Sequence, residues 1–178
     1  MISQLEIDDL YKLSDKQSEE VQVLYNKIIS EHKASFESDE SVDFYTDTDQ
    51  LTRFLIAREF HPQKSYDMWL NWYKWHKVAL PNKITIDKLN KTLVESNRFY
   101  LHKHDREHHP CLIGKARLHI QDEYTWEELF SYFLFTLEKA FKKSDENGTR
   151  KIVVIYDRIG FSQKNTDSNS FTYLKRII

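Results

Sequence analysis

Glycine is scarce in this sequence of 178 residues, which contains three: Gly114, Gly148 and Gly160. A dinucleotide-binding fingerprint requires three closely spaced glycines, so the spacing here excludes that kind of site. A phosphate-binding P-loop is excluded as well, because no glycine stands at the required distance before Gly114. Cysteine is scarcer still: Cys111 stands alone, which excludes a disulfide framework within the chain and favours a reducing compartment.

Charge of one sign and long hydrophobic runs are also missing. The formal net charge is -2 and the sequence pI is about 6.4, so no basic field attracts nucleic acid and we expect no nucleic-acid partner. No stretch approaches the roughly 18 consecutive apolar residues of a membrane-spanning helix. The sequence begins with acidic Glu6, Asp8 and Asp9 rather than a basic start and an apolar run, so no signal peptide is expected. These absences predict a cytoplasmic protein, and any membrane association is expected to be peripheral.

Three helices are predicted in the first half of the chain from capping signals and apolar spacing. Ser14 and Gln17 form a capping box before the first helix. A second helix starts near Asp47, and Pro62 suits the first turn of a third helix, which carries aromatic residues at helical spacing. These are Tyr66, Trp69, Trp72, Tyr73 and Trp75. The acidic, serine-rich stretch 35–47 is predicted to be a loop.

Strands are predicted in the second half, after a short amphipathic helix near 86–93. Residues 99–103 and 111–119 have strand patterns and are joined by a charged turn. The β-branched run 151–156 predicts a buried strand.

A long helix is predicted between the last two strands. A capping box at Thr125 and Glu128 opens this helix. Strand, helix and strand in this order predict a parallel pair. A further helix is predicted over 169–178, with Phe171, Leu174 and Ile178 on one face.

Three segments resemble signatures of CRAL-TRIO lipid-binding proteins. Residues 51–60, Leu-Thr-Arg-Phe-Leu-Ile-Ala-Arg-Glu-Phe, precede a tryptophan-bearing helix, as in the helical lobe of that family. Residues 155–162, Ile-Tyr-Asp-Arg-Ile-Gly-Phe-Ser, resemble its central strand and the turn after it. Residues 105–112 between them resemble its acidic turn and proline-led strand, and the order and spacing of all three segments agree.

The resemblance implies an α/β fold, in which an N-terminal helical lobe is followed by an incomplete α/β lipid-binding lobe with strand–helix–strand order and parallel pairing. We accordingly divide the chain into an N-terminal helical extension (1–46), the CRAL-TRIO helical lobe (47–94) and the CRAL-TRIO α/β lobe (95–178). The predicted helix over 169–178 begins an apolar face with no sequence after it to cover that face. We therefore expect the chain to end before the domain is complete.

The resemblance also implies a non-enzymatic function: binding, and transfer between membranes, of a phospholipid such as phosphatidylinositol or of another hydrophobic ligand in an apolar pocket. Arg58 matches a family arginine that reaches the inositol phosphate, and Ser162 matches a hydroxyl near the choline headgroup. Leu112 stands where some members have an aromatic residue at that site. These three residues are the predicted lipid-binding residues, and no cofactor is implied.

The implied partners are a phospholipid or other hydrophobic small molecule and, transiently, a membrane surface. The alternative is a protein-interaction or scaffolding module of the same fold without lipid cargo, because CRAL-TRIO units also occur in regulators of small GTPases.

Two other kinds of site have weaker signals. Gly160-Phe161-Ser162 resembles the nucleophile elbow of serine hydrolases, but Lys164 stands where that motif needs a second glycine. Histidines cluster around the hairpin turn near Asp105, although turn histidines are usually solvated rather than metal-bound. The cluster contains His102, His104, His108 and His109. We predict neither a catalytic nor a metal site, and we expect Cys111 to be buried at the start of its strand.

Overall fold

A computed structural model describes residues 11–166, apart from the side chain of Asp39. The chain forms two compact units, Met1–Ala79 and Leu80–Ile178. The helix predicted over 169–178 and the acidic N-terminal residues lie outside the described residues. The three-part division of the chain, with boundaries after residues 46 and 94, stays a prediction.

The described part of the first unit is helical. Its helices are α1 (Asp15–His32), α2 (Asp39–Tyr45), α3 (Thr48–Ala57) and α4 (Pro62–Ala79), with a 3-10 turn at Lys33–Ser35. The capping box at Ser14 and Gln17 is present, as predicted. Asp47 caps α3, because its carboxylate accepts the backbone N–H of Gln50 at 3.0 Å.

Aromatic packing builds the core of this helical unit. Trp69 on α4 is fully buried, and its indole N–H donates to the Tyr45 carbonyl at 2.9 Å. The Trp69 ring stacks on Tyr73 with 5.2 Å between ring centroids, and Leu51 and Leu55 of α3 belong to the same cluster. Each buried indole or phenol of this kind removes a large apolar area from water.

The loop prediction for residues 35–47 was wrong, because helix α2 occupies most of this stretch. The Ser38 hydroxyl accepts the N–H of Ser41 at 3.2 Å and so caps the helix. Tyr45 at its last turn is buried, with its ring 4.7 Å from that of Tyr73. The burial of Tyr45 stabilises the helix although the composition of the segment is polar.

The second unit is a mixed α/β structure. Within residues 80–166, its helices are α5 (Lys91–Glu95) and α6 (Trp126–Glu146), and its strands are β1 (Phe99–His104), β2 (Pro110–Lys115) and β3 (Val153–Asp157). The strands form one sheet in the order β1-β2-β3, with β1 antiparallel and β3 parallel to β2. The predicted parallel pair is therefore confirmed. The short helix expected near 86–93 is a 3-10 turn at Ile86–Lys88 followed by α5.

Helix α6 packs mainly against β1 and β2. It opens with the predicted capping box, in which Thr125 and Glu128 satisfy each other's backbone N–H groups. Tyr132 on its buried face donates its hydroxyl to the Phe99 carbonyl and packs with Leu93 and Leu129. The helix is thereby fixed over the first two strands of the sheet.

Strand β2 is shorter than predicted, because a 3-10 turn at Ala116–Leu118 replaces its expected end. Asn165, with 3% of its surface exposed, donates its amide N–H groups to the carbonyls of Arg117 (3.0 Å) and His119 (2.8 Å). The Asn165 amide thus replaces the backbone N–H groups that would bond to these two carbonyls if the strand continued.

Candidate functional site

The strand register assigns the side chains of the sheet to two faces. Side chains that are direct partners in adjacent strands lie on the same face, and alternate residues of a strand lie on opposite faces. Tyr100, Ile113 and Ile155 are partners across the three strands, so they form one row. Lys115 and Asp157, two residues further along β2 and β3, are partners on this same face.

The opposite face lies towards helix α6. The Phe99 ring lies 5.8 Å from that of Tyr132 and 5.3 Å from that of Phe133, both on α6. A methyl group added at Gly114 would contact the rings of Phe99 (3.4 Å) and Tyr156 (3.5 Å), so these residues share the face. We call the α6 side the proximal face and the side with Tyr100, Ile113, Lys115, Ile155 and Asp157 the distal face.

Strand β3 is much more exposed than predicted. We expected a buried strand, but Val154 is 57%, Ile155 44% and Tyr156 60% exposed. The reason is that α6 covers mainly β1 and β2, so that the two faces of β3 lack the cover that β2 receives. Apolar side chains at this level of exposure mark a surface that suits an apolar ligand or partner.

The carboxyl end of the distal face carries charged groups. The Arg117 guanidinium donates to Asp157 Oδ2 at 3.0 Å, and Asp157 Oδ1 accepts the backbone N–H of Ile159 at 2.9 Å. The Ile159 N–H and the Arg117 guanidinium, aided by the Lys115 charge, lower the pKa of Asp157 below its ordinary value of 3.8. Gly160 follows with a φ of +75°, a conformation that permits the chain to turn beside the Arg117 side chain.

Ser162 lies in the turn after β3 and takes part in a local cap. Its hydroxyl donates to Asn165 Oδ1 at 3.1 Å, and its backbone N–H donates to the same oxygen at 2.8 Å. An amide oxygen is not a general base, so the bond provides no activation of the kind that a serine hydrolase needs. The hydroxyl is exposed, and its role as a headgroup contact stays a prediction.

Leu112 lies on β2 as a partner of Val154, on the proximal face. It is 1% exposed and belongs to the interior of the second unit. Its neighbour Ile113 lies on the distal face and is partly exposed. The expected contact between Leu112 and a lipid stays a prediction.

Arg58 lies in the helical unit and is the C-cap residue of α3. Its side chain is exposed, and its guanidinium donates to the Ala57 carbonyl at 3.1 Å. Two residues with positive φ follow it, Glu59 at 53° and Phe60 at 56°, so the chain turns sharply here before α4. The headgroup role of Arg58 stays a prediction.

The histidines at the β1–β2 turn stabilise a hairpin. Asp105 accepts the backbone N–H groups of Glu107 and His109 at 2.9 Å, and its other oxygen lies 2.9 Å from His109 Nδ1. The hydrogen bond with the His109 side chain is the main cause of the lowered pKa of Asp105. Within residues 11–166, no three histidine, cysteine or carboxylate side chains are grouped so as to hold a metal ion. Cys111 is a free, buried thiol, as predicted.

A shallow cavity of about 60 Å³ lies in the helical unit between α1 and the start of α4, lined by Glu20, Val23, Leu24, Lys27, Pro62 and Gln63. Ligand pockets for small molecules measure roughly 300–1,000 Å³, so this cavity does not accommodate a lipid. Among the described residues, no helix is both long enough and apolar enough to cross a bilayer.

The sequence pattern did not indicate the distal face, because the register that places Tyr100, Ile113 and Ile155 in one row depends on the bulge and turn between β1 and β2. The only hint in the sequence is that side chains alternate between the two faces of a strand. Tyr100 and Ile113 each stand between two residues of the proximal face, so they share the other face.

Comparison with known proteins gives a similarity, and it lies in the second unit. A model of the CRAL/TRIO domain matches residues 95–178, which include the three strands and α6. A search of curated proteins finds no match. The match confirms the resemblance over residues 95–178, which include the segments 105–112 and 155–162. CRAL/TRIO proteins generally bind or transfer lipophilic ligands rather than catalyse reactions. Over residues 95–178, the chain is therefore similar to a CRAL/TRIO domain.

Proposed function

We propose that the chain binds a phospholipid, such as phosphatidylinositol, or another hydrophobic ligand with its apolar part against the distal face. The observation that carries this proposal is the row of Tyr100, Ile113 and Ile155, in which Ile155 remains 44% exposed within a domain of a lipid-binding family. Apolar contact contributes about 25 cal/mol for each Å² removed from water, so an acyl chain across this row gains several kcal/mol.

Transfer between membranes follows from this mode of binding. The apolar part of the ligand is shielded from water while it lies against the distal face, so the protein can carry it through water. Release of the ligand requires a transient contact with a membrane surface. Such contact is peripheral in this proposal. Arg58 and Ser162 are proposed as polar contacts for the headgroup, and Leu112 as support behind the ligand-bearing strand.

The test is chemical analysis of the purified chain. Extraction with organic solvent and mass spectrometry are expected to detect a co-purifying amphiphile in a near-equimolar amount. A folded preparation that carries no lipid, and that takes up none from vesicles of phosphatidylcholine and phosphatidylinositol, would contradict the proposal.

A protein-interaction role without lipid cargo is the second candidate. It is favoured by the exposure of Val154 and Tyr156 on the proximal face, which an apolar protein partner would cover. A partner that is a regulator of small GTPases would remain bound in pull-down experiments with Ile155→Gln and be lost with Tyr156→Ser. The reverse pattern would exclude this role.

A further inference from the structure

The distal face is chemically polarised along the strands. Its middle is apolar, with Tyr100, Ile113 and Ile155 in one row. Its carboxyl end carries Lys115, whose ammonium lies 4.7 Å from the centroid of the Tyr100 ring. Adjacent residues on one face of a strand are about 7 Å apart, so the charged end directly adjoins the apolar row.

The charged end has a surplus of positive charge. Arg117 and Asp157 form an ion pair at 3.0 Å, and Asp157 uses its second oxygen for the Ile159 N–H. Lys115 contacts the face of an aromatic ring, which attracts the ammonium but carries no formal charge. Two cations and one carboxylate leave this corner with a formal charge of +1.

We propose that Lys115, supported by Arg117, binds the phosphate of a phospholipid whose acyl chains lie against the distal face. This inference rests on the proposed function and adds the chemistry of the headgroup. A phosphodiester carries one negative charge, which matches the surplus charge of the corner. Both groups also lie at the carboxyl end of β2, the end at which open α/β sheets bind their ligands.

The arrangement suits an amphiphile better than a free anion. The Lys115 ammonium lies over the Tyr100 ring, so it is held at the border between apolar and charged surface. A ligand with joined apolar and anionic parts contacts both surfaces at once, whereas inorganic phosphate contacts only the charged one.

The experiment compares three ligands on the full chain by isothermal titration calorimetry. They are dihexanoyl phosphatidylcholine and dihexanoylglycerol, which share acyl chains and differ in the phosphate headgroup, and inorganic phosphate. The variants are Lys115→Met, which keeps an apolar stem without the charge, and Lys115→Arg, which keeps the charge. Lys151→Met is the matched control, because Lys151 is exposed and precedes the amino end of β3.

Lys115→Met is expected to weaken phosphatidylcholine binding about tenfold and to leave dihexanoylglycerol binding unchanged, since one charge-assisted contact is lost. Lys115→Arg and Lys151→Met are expected to bind both lipids as the wild-type chain does. An unchanged thermal melt of Lys115→Met shows that the loss is not caused by unfolding.

Equal phosphatidylcholine affinity of the wild-type chain and Lys115→Met would overturn this inference while leaving lipid binding intact. A wild-type chain that binds neither lipid would overturn the proposed function as well. Binding of inorganic phosphate that depends on Lys115, without binding of phosphatidylcholine, would identify a free anion as the ligand and contradict the lipid assignment.

Discussion

The aromatic core of the helical unit and strand β3 of the sheet unit differ in how far their apolar side chains are buried. In the helical unit, Trp69, Leu51 and Leu55 are fully buried, and aromatic rings from α2 and α4 pack against one another. In the sheet unit, α6 closes over β1 and β2, while Val154, Ile155 and Tyr156 of β3 remain accessible. Apolar surface that a unit does not bury is available to a ligand or a partner, and for this reason we propose the ligand site on the sheet unit.

The largest expected effect tests the closed core of the helical unit. Trp69→Ala removes a fully buried indole and its hydrogen bond to the Tyr45 carbonyl, which should lower the free energy of unfolding by about 3–5 kcal/mol. Val78→Ala on the same helix alters an exposed side chain and should change it by less than about 0.5 kcal/mol. Urea unfolding followed by far-ultraviolet circular dichroism measures both, and similar values for the two variants would refute the core assignment.

The turn after β3 offers the next largest effect. Asn165→Ala leaves the carbonyls of Arg117 and His119 without their amide donors, at a cost of about 1–3 kcal/mol. Ser162→Ala removes only an exposed cap and should cost about 0.5–1 kcal/mol. Thermal melts of both variants give the order of the two effects. A larger loss for Ser162→Ala would show that the serine, rather than the asparagine, anchors the turn.

An alkaline titration examines the burial of Tyr66 in the helical unit. Burial, and then the hydrogen bond that its hydroxyl donates to the Glu31 carboxylate, raise the pKa of Tyr66 to about 12. Because the pKa is raised in the folded state, folding favours the neutral phenol of Tyr66. The contribution of this phenol to the free energy of unfolding is complete below the ordinary pKa of 10.0 and is lost as the pH rises from there to about 12.

Tyr66→Phe should lack this part of the alkaline loss. Lysines lose their protons over the same range in both proteins, so the difference between the two unfolding curves isolates the tyrosine. Identical pH dependence of unfolding in the wild-type chain and Tyr66→Phe would contradict the burial of this hydroxyl.

The smallest expected effect on stability concerns the exposed strand. Tyr156→Lys should change the free energy of unfolding by less than about 0.5 kcal/mol, because the side chain is 60% exposed. We expect the exposed strand β3, the last in the order of the described strands, to pair between chains. Tyr156→Lys should reduce this self-association, because a charge on an apolar edge strand disfavours pairing. Sedimentation velocity over a range of concentrations measures the association. Val78→Lys in the helical unit is the control, and a wild-type chain that stays monomeric throughout would contradict this account of β3.

Local signals in the sequence predicted much of the fold. The capping boxes at Ser14 and Thr125 mark the starts of α1 and α6, because satisfaction of backbone N–H groups is a short-range matter. Pro62 likewise marks the start of α4. Helix α2 was missed, since its stability comes from the burial of Tyr45 among residues distant in the sequence.

The candidate site was less predictable than the fold. The β-branched composition of residues 151–156 indicated a strand correctly, but composition does not determine whether a helix covers that strand. The face on which Leu112 or Ile113 lies depends on register, and a shift of one residue would exchange the two. The pairing of Arg117 with Asp157 joins residues 40 positions apart and has no local signal.

The central claim is that a lipophilic ligand lies against the distal face. Ile155 and Val154 are adjacent, both exposed, and on opposite faces of β3, so Ile155→Gln and Val154→Gln form a matched pair. Binding of a fluorescent acyl-chain probe, titrated against both variants, tests the claim directly. We predict about a tenfold loss of affinity for Ile155→Gln and no change for Val154→Gln. Equal losses, or a loss confined to Val154→Gln, would contradict it.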